Sequence, residues 1–157
     1  MRKKGYFKKP ERRGEHVYQR VDVARFVNYL MTDGRKATAE KVFYGAMAQV
    51  AATTKEDALV VFTKALENAA PLVEVTSRRV GGANYQIPRE IRPERKFFLA
   101  THWIIAAARG KKGKPMAAKL AEEIIAAAKG EGIAIKKKQD MHRMAEANRA
   151  FASLIRR

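Results

Sequence analysis

The chain changes its sequence pattern at residues 71–88, which read PLVEVTSRRVGGANYQIP. Apolar and polar residues alternate on both sides of Gly81-Gly82, whereas the flanking sequence has helical spacing. Two alternating runs around a Gly-Gly pair predict a β-hairpin with a tight turn, here over residues 72–88. An isolated hairpin is only marginally stable in water, so this one must pack against helices or bind a partner.

A two-residue turn would place Arg79 opposite Asn84 and Arg78 opposite Tyr85. The two arginines would then point to opposite faces of the hairpin. A guanidinium can bind phosphate through two parallel hydrogen bonds, and a bare glycine turn lets another backbone approach closely. The pattern therefore favours RNA contact. The alternative is that the glycines only form the turn and the arginines protect a sheet edge from aggregation.

The sequence on both sides of the hairpin predicts helices. Apolar residues recur at i, i+3, i+4 and i+7 over residues 21–71 and again over residues 93–156. We therefore expect residues 1–157 to form one mainly α domain, a bundle of about six helices with the hairpin protruding between the third and fourth. The first helix shows the spacing with Val23, Phe26, Val27 and Leu30.

Positive charge is concentrated in particular segments of this chain, whose formal net charge is +17. Residues 1–20 carry a net +6 and residues 109–138 another +6, whereas residues 21–70 are neutral. Such an excess attracts polyanions, which makes nucleic acid the expected partner and an acidic membrane surface the second choice. The alternative is a solvated, lysine-rich surface without a partner.

Residues 1–20 are predicted to form a basic, extended arm, with Tyr6 and Phe7 between the charges. Such an arm can follow a phosphate backbone and stack on an unpaired base. The alternative is an irregular terminus without function.

Catalytic signatures are missing from the sequence. It has no cysteine, no phosphate-binding loop and no nucleophile elbow, and its three histidines are not at metal-ligand spacing. His102 is expected to be half-buried, Met144 to belong to the core, and the adjacent Glu122 and Glu123 to be exposed or paired with Lys119. We therefore expect no enzyme, no cofactor and no bound metal, and neither a membrane span nor a secretory signal.

Several motifs together resemble a known family, the bacterial-type small-subunit ribosomal protein seven. The resemblance extends from about Asp22 to Ala152, and the Ser-Arg-Arg-Val-Gly-Gly run at 77–82 is its most specific part. The chain departs from the usual pattern in its arm and in its non-aromatic end, residues 153–157. The matching segments are 30–31, 33–34, 43–46, 66–68, 71–75, 77–86, 88, 91–95, 103–104, 136–138, 140 and 142–151.

This resemblance implies a structural protein of the small ribosomal subunit in the cytoplasm. Family members bind the three-prime major domain of small-subunit ribosomal RNA and nucleate assembly of the subunit head. Their hairpin and last helix face messenger RNA and exit-site transfer RNA, and they contact platform ribosomal protein eleven and other head proteins. On this chain the side facing messenger and transfer RNA would include Gly81, Gly82, Arg143 and Arg149.

Charge and motif together give the expected RNA contacts. A DNA-binding architectural protein and an enzyme acting on nucleic acid are the alternatives, which duplex-DNA competition and activity assays would separate. The expected contacts are Arg2, Lys3, Lys4, Lys8, Lys9, Arg12 and Arg13 in the arm; Arg25, Arg35 and Lys36 on the helix rim; Arg78, Arg79, Asn84 and Tyr85 in the hairpin; Arg92, Arg95 and Lys96 at its base; Lys111, Lys112 and Lys114 in a loop; and Lys136, Lys137 and Lys138 near the last helix.

Overall fold

The computed structural model describes residues 13–156, apart from the side chains of Val80 and residues 153–156. It confirms the predicted fold class: six α-helices with one antiparallel hairpin between the third and fourth. A 3₁₀ helix follows the sixth α-helix and is called the C-terminal 3₁₀ helix below. The elements are α1 (Val21–Leu30), α2 (Lys36–Thr54), α3 (Ala58–Ala69), β1 (Val73–Val80), β2 (Ala83–Glu90), α4 (Pro93–Gly110), α5 (Met116–Ala128), α6 (Ile133–Ala147) and the 3₁₀ helix (Arg149–Arg156).

The core forms where α1, α2 and α3 bring three phenylalanines together. Phe26 lies with its ring centroid 5.5 Å from that of Phe43 and 5.1 Å from that of Phe62, and all three side chains are fully buried. Burying one such ring contributes about 1.5–3 kcal/mol to stability. Helix α5 lies at the centre of the bundle and packs against α2, α3 and α4. The apolar face predicted for α1 is buried in full.

Two helices carry an acidic residue at their start. Helix α1 begins at Val21, and Asp22 lies in its first turn. Helix α2 continues to Thr54, and Asp57 caps α3 by accepting a hydrogen bond from Leu59 N at 2.9 Å. An acidic residue is favourable in either position because unpaired amides and the positive end of the helix dipole lie there.

The hairpin has the predicted register and is fixed to the body at its base. Leu72 N donates a hydrogen bond to His142 Nε2 of α6 at 3.0 Å, and Ile91 N donates to Leu72 O at 3.3 Å. The strands continue to Glu90, beyond the predicted end at Pro88. Proline is tolerated there because each strand of a two-stranded sheet has a free edge.

The chain is already folded before α1. Glu15 is buried, and its carboxylate accepts hydrogen bonds from Val17 N and Tyr18 N, both at 2.8 Å. Tyr18 packs edge-on against Phe43, with 6.5 Å between ring centroids. These contacts differ from the extended arm expected over residues 1–20, because a buried carboxylate holds a turn there. The first twelve positions of that arm lie outside the described residues.

Helix α6 ends before residue 156, to which the helical spacing was expected to extend. It starts at Ile133, so residues 136–138 lie inside the helix, and it ends at Ala147, after which the 3₁₀ helix follows. Met144 is 49% exposed, so its predicted place in the core is wrong. The helix lies against the hairpin and the end of the bundle, and its buried side chains are near its start and at Ala145.

Candidate nucleic-acid interface

One face of the outer hairpin is polar and exposed. Cross-strand partners share a face, so Arg79 and Asn84 lie side by side, followed by the pair Ser77 and Gln86, and all four are exposed. Within residues 13–156, Arg79 has no hydrogen-bond or ion-pair partner. This face therefore offers a guanidinium, two amides and a hydroxyl to a ligand.

The turn itself is bare backbone. Gly81 and Gly82 are exposed and have φ angles of 57° and 89°. A turn with positive φ at both central residues matches the twist of a two-residue hairpin and favours glycine. A Cβ on either glycine would meet nothing within 4 Å, so the space above the turn is open.

The opposite face of the hairpin is partly covered by the end of the chain. Tyr85 is one of the expected RNA contacts, but it is half-buried, and its ring centroid lies 5.2 Å from that of Phe151 in the C-terminal 3₁₀ helix. Arg78 lies on the same face as Tyr85. The two residues lie far apart in the sequence, so no local pattern indicates this contact.

The base of the hairpin is linked to the start of α4. Arg95 Nε lies 3.2 Å from Glu74 Oε2 of β1, and the Arg95 guanidinium lies 5.0 Å from the ring centroid of Phe98. Arg92 is exposed one turn away, and Lys96 is half-buried. The predicted basic group at the hairpin base therefore exists, but Arg95 also holds the hairpin to the body.

Helices α1 and α4 form a second arginine–aromatic group. The Arg25 guanidinium lies 4.2 Å from the ring centroid of Phe97, and its buried Nε has no hydrogen-bond partner. His102 was expected to be half-buried, but it is exposed and stacks on Phe98 with 4.0 Å between ring centroids. Tyr29 of α1 packs against that ring pair at 5.5 and 5.0 Å.

Arg35 lies beside an arginine that the sequence did not single out. A surface cavity of about 340 Å³ between α1, α2 and α4 is lined by Arg35 and Arg109. Arg109 Nη2 donates hydrogen bonds to Leu30 O at 3.1 Å and to Thr32 Oγ1 at 3.3 Å. Lys36 was expected to contact RNA together with Arg35. Its Nζ lies 3.8 Å from Glu40 Oε1, so the charge of Lys36 is partly neutralised.

The lysines of the 111–114 loop are mostly paired with carboxylates. Lys114 forms a hydrogen-bonded ion pair with Glu122, and Lys111 Nζ lies 3.7 Å from Glu122 Oε2 and 3.2 Å from Glu123 Oε2. Lys112 is exposed. Glu122 is exposed, which is one of the two expected alternatives, whereas Glu123 is only 1% exposed and does not pair with Lys119.

The lysines of α6 differ in their roles. Lys136 and Lys137 are exposed, whereas Lys138 is half-buried and donates a hydrogen bond from Nζ to Asn68 O at 2.7 Å. Burial lowers the pKa of Lys138 below its ordinary value. Lys138 thus links α6 to α3, so it is less available to phosphate than its two neighbours.

Arg143 and Arg149 are exposed near the hairpin side of the molecule. Each has an acidic neighbour in the chain: Arg143 lies 2.9 Å from Asp140, and Arg149 lies 3.6 Å from Glu146. Such exposed ion pairs contribute little to stability, so a phosphate can replace the carboxylate at little energetic cost.

Most of the predicted basic residues lie on the described surface, but they form several groups. The hairpin, α6 and the C-terminal 3₁₀ helix adjoin one another, and the Arg95–Glu74 ion pair joins the start of α4 to β1. Arg13 is exposed at the start of the described residues. The expected contacts at Arg2, Lys3, Lys4, Lys8, Lys9 and Arg12 lie outside them.

The part of the chain that the structure describes has neither a metal-binding cluster nor a membrane-spanning helix. No group of three or more His, Asp or Glu side chains there could hold a metal ion. No helix among these residues is long and apolar enough to cross a membrane.

Comparison with known proteins identifies the family. A family model described as ribosomal protein S7p/S5e matches residues 2–149. The chain belongs to the ribosomal protein S7p/S5e family. The family consists of structural ribosomal proteins, which agrees with the expectation that the chain is not an enzyme.

Individual members of the S7p/S5e family are similar over most of their length. A protein of Thermotoga petrophila is 57% identical over 87% of this chain and 88% of its own. One of Elusimicrobium minutum is 55% identical over 88% and 87%, and one of Finegoldia magna is 47% identical over 97% of both. All three are named small ribosomal subunit protein uS7.

Proposed function

We propose that this ribosomal protein is a structural constituent of the small subunit that binds the three-prime major domain of its RNA. Binding there would nucleate assembly of the subunit head in the cytoplasm. Its hairpin and α6 would face messenger RNA and exit-site transfer RNA, next to platform ribosomal protein eleven. Family membership and the names of the relatives support the placement in the small subunit.

The observation that carries the RNA-binding proposal is the exposed polar face of the outer hairpin. Arg79 has no internal partner among the described residues, and Asn84 is exposed beside it. An unpaired arginine on a rigid strand can bind phosphate without first breaking an ion pair. Asn84 can donate and accept hydrogen bonds at a base edge, as in recognition of splayed RNA bases.

The anchoring of the hairpin supports a role in positioning RNA. The His142–Leu72 hydrogen bond, the Arg95–Glu74 ion pair and the Tyr85–Phe151 contact fix its base and one face to the body. A rigid extension loses less conformational entropy on binding than a free one. The protein would therefore favour the RNA conformation that fits its surface, which is how binding shifts an RNA ensemble toward later assembly steps.

The remaining basic groups would set affinity and register. Phosphate contacts position a protein on RNA and make binding strongly salt-dependent, while shape and unpaired bases give specificity. Arg92, Arg35, Lys112, Lys136 and Lys137 are exposed and suit this role.

A competition experiment tests the proposal. The protein is titrated against labelled three-prime domain RNA at physiological salt, with excess duplex DNA and RNA of unrelated sequence as competitors. We expect tight binding that survives both competitors. Equal competition by duplex DNA would favour the architectural DNA-binding alternative. Equal competition by unrelated RNA would contradict specific recognition of the ribosomal domain.

A further inference from the structure

Glu122 lies among the lysines of the 111–114 loop. Its Oε1 forms a hydrogen-bonded ion pair with Lys114, and its Oε2 lies 3.7 Å from Lys111 Nζ. The Lys114 hydrogen bond lowers the pKa of the Glu122 carboxyl below its ordinary value, so Glu122 is ionised at neutral pH. One exposed carboxylate thus faces two of the three lysines in the most basic loop that the structure describes.

Unlike its neighbour Glu123, Glu122 does not hold two helices together. Glu123 is buried and accepts a hydrogen bond from Ala134 N at 3.1 Å, so it ties α5 to the start of α6. Glu122 is 43% exposed, and within residues 13–156 its only polar contacts are those with Lys111 and Lys114. Exposed ion pairs of this kind contribute little to folding stability.

A phosphate that binds this loop needs the same ammonium groups that Glu122 holds. We propose that Glu122 is a specificity-determining residue, a built-in competitor that limits binding of non-cognate RNA to the 111–114 loop. This inference rests on the proposed RNA-binding function. In a non-specific complex, any phosphate can occupy free lysines as the protein slides along the RNA. In the specific complex, the hairpin fixes the register, so fewer phosphates can reach the loop.

The first test compares Glu122→Gln with Glu131→Gln. Glu131 is exposed in the turn before α6 and forms no ion pair among the described residues, so its substitution changes the net charge equally without freeing a lysine. The probes are a single-stranded RNA of unrelated sequence and the three-prime domain RNA, each titrated over a range of salt concentrations. Thermal unfolding of both variants checks that the fold is unchanged.

We expect Glu122→Gln to bind the unrelated RNA more tightly than Glu131→Gln does. The freed Lys114 should add about two- to fivefold, the strength of an exposed ion pair, whereas Lys111 keeps its ion pair with Glu123. The salt slope should steepen by about 0.7 for each added contact to single-stranded RNA. The gain should be smaller for the three-prime domain RNA. A gain no larger than that of Glu131→Gln, or an equal gain for both RNAs, would overturn the inference.

A double-mutant cycle with Lys114→Gln isolates the contact itself. In that background Glu122→Gln should add less affinity for the unrelated RNA, because Lys114 is gone and Lys111 stays paired with Glu123; an undiminished gain would contradict the inference. Failure of the proposed function gives a different result. Wild-type protein would then bind both RNAs equally, while the salt slopes of the two Gln variants would still show whether Glu122 competes for the lysines.

Discussion

Replacing Glu123 with alanine should destabilise the protein, although the residue lies within a run of small and charged residues on α5. Helix α6 starts after Gly132, which has no side chain to cap the helix, and Glu123 accepts the hydrogen bond from Ala134 N instead. A Cβ at Gly132 would lie 2.9 Å from Glu123 Oε1, so glycine also leaves room for the carboxylate. Glu123 therefore acts as a cap supplied by another helix.

The size of the effect follows from the two contacts of the carboxylate. Leaving the buried Ala134 amide without a partner costs about 1–3 kcal/mol. The ion pair with Lys111, whose side chain is 27% exposed, adds about 0.5–1 kcal/mol once solvent screening is included. Glu123→Ala should thus lose about 1.5–4 kcal/mol. With a urea m-value of about 2 kcal/mol/M, the midpoint should fall by about 0.8–2 M.

Urea unfolding followed by circular dichroism measures this loss, with Glu123→Gln as the matched control. Glutamine keeps an acceptor oxygen for Ala134 N but removes the charge, so it should lose only about 0.5–1 kcal/mol. Equal losses for both variants would show that the ion pair, not the cap, carries the energy. A Glu123→Ala midpoint within experimental error of the wild type would show that the Glu123 carboxylate does not stabilise the start of α6.

Two further predictions concern the anchoring of the hairpin. Burial and the charge of Lys138 lower the pKa of His142 in the folded protein. Below about pH 6.5 the unfolded state therefore binds more protons than the folded state, and the free energy of unfolding should decrease as the pH is lowered. His142→Gln should reduce that dependence in urea unfolding at pH 7.5 and 5.5, and an unchanged dependence would contradict the prediction. Phe151→Ala should remove about 0.5–1.5 kcal/mol of ring contact with Tyr85 and speed hydrogen exchange of hairpin amides; unchanged exchange would argue against the anchor.

Local patterns predicted the parts of the fold that depend on local geometry. The spacing of Val23, Phe26, Val27 and Leu30 predicted a buried face because a helix repeats every 3.6 residues. The Gly81-Gly82 pair predicted the register because a two-residue turn leaves one pairing for the strands.

Contacts between distant segments could not be read in the same way. Glu123 and Lys138 belong to strings of charged residues that look solvated, and only the packing of α5 and α6 shows what each one holds. Tyr85 and Phe151 are 66 positions apart, and their contact depends on where α6 ends. Periodicity predicts which side of a helix is buried. It does not predict which polar group of another element contacts that helix.

The sequence predicted which basic residues lie at the candidate site, but not which of them already have a carboxylate partner. Charge and motif singled out Arg79, Arg95 and Lys114 equally. Arg95 and Lys114 have carboxylate partners, whereas Arg79 has none among the described residues. Net charge counts every lysine and arginine, but a phosphate gains most from those that are not already paired.

Binding of ribosomal RNA to the Arg79 face of the hairpin can be tested with two sets of hairpin variants. Binding of the three-prime domain RNA is measured for Arg79→Ala/Asn84→Ala and for Arg89→Ala, which removes the same charge from the opposite face of the same hairpin. We expect the double variant to bind about tenfold more weakly, as for the loss of a charge-assisted contact, with its helical circular dichroism unchanged and Arg89→Ala near wild type. Equal weakening by both variants, or none by the double variant, would contradict the account.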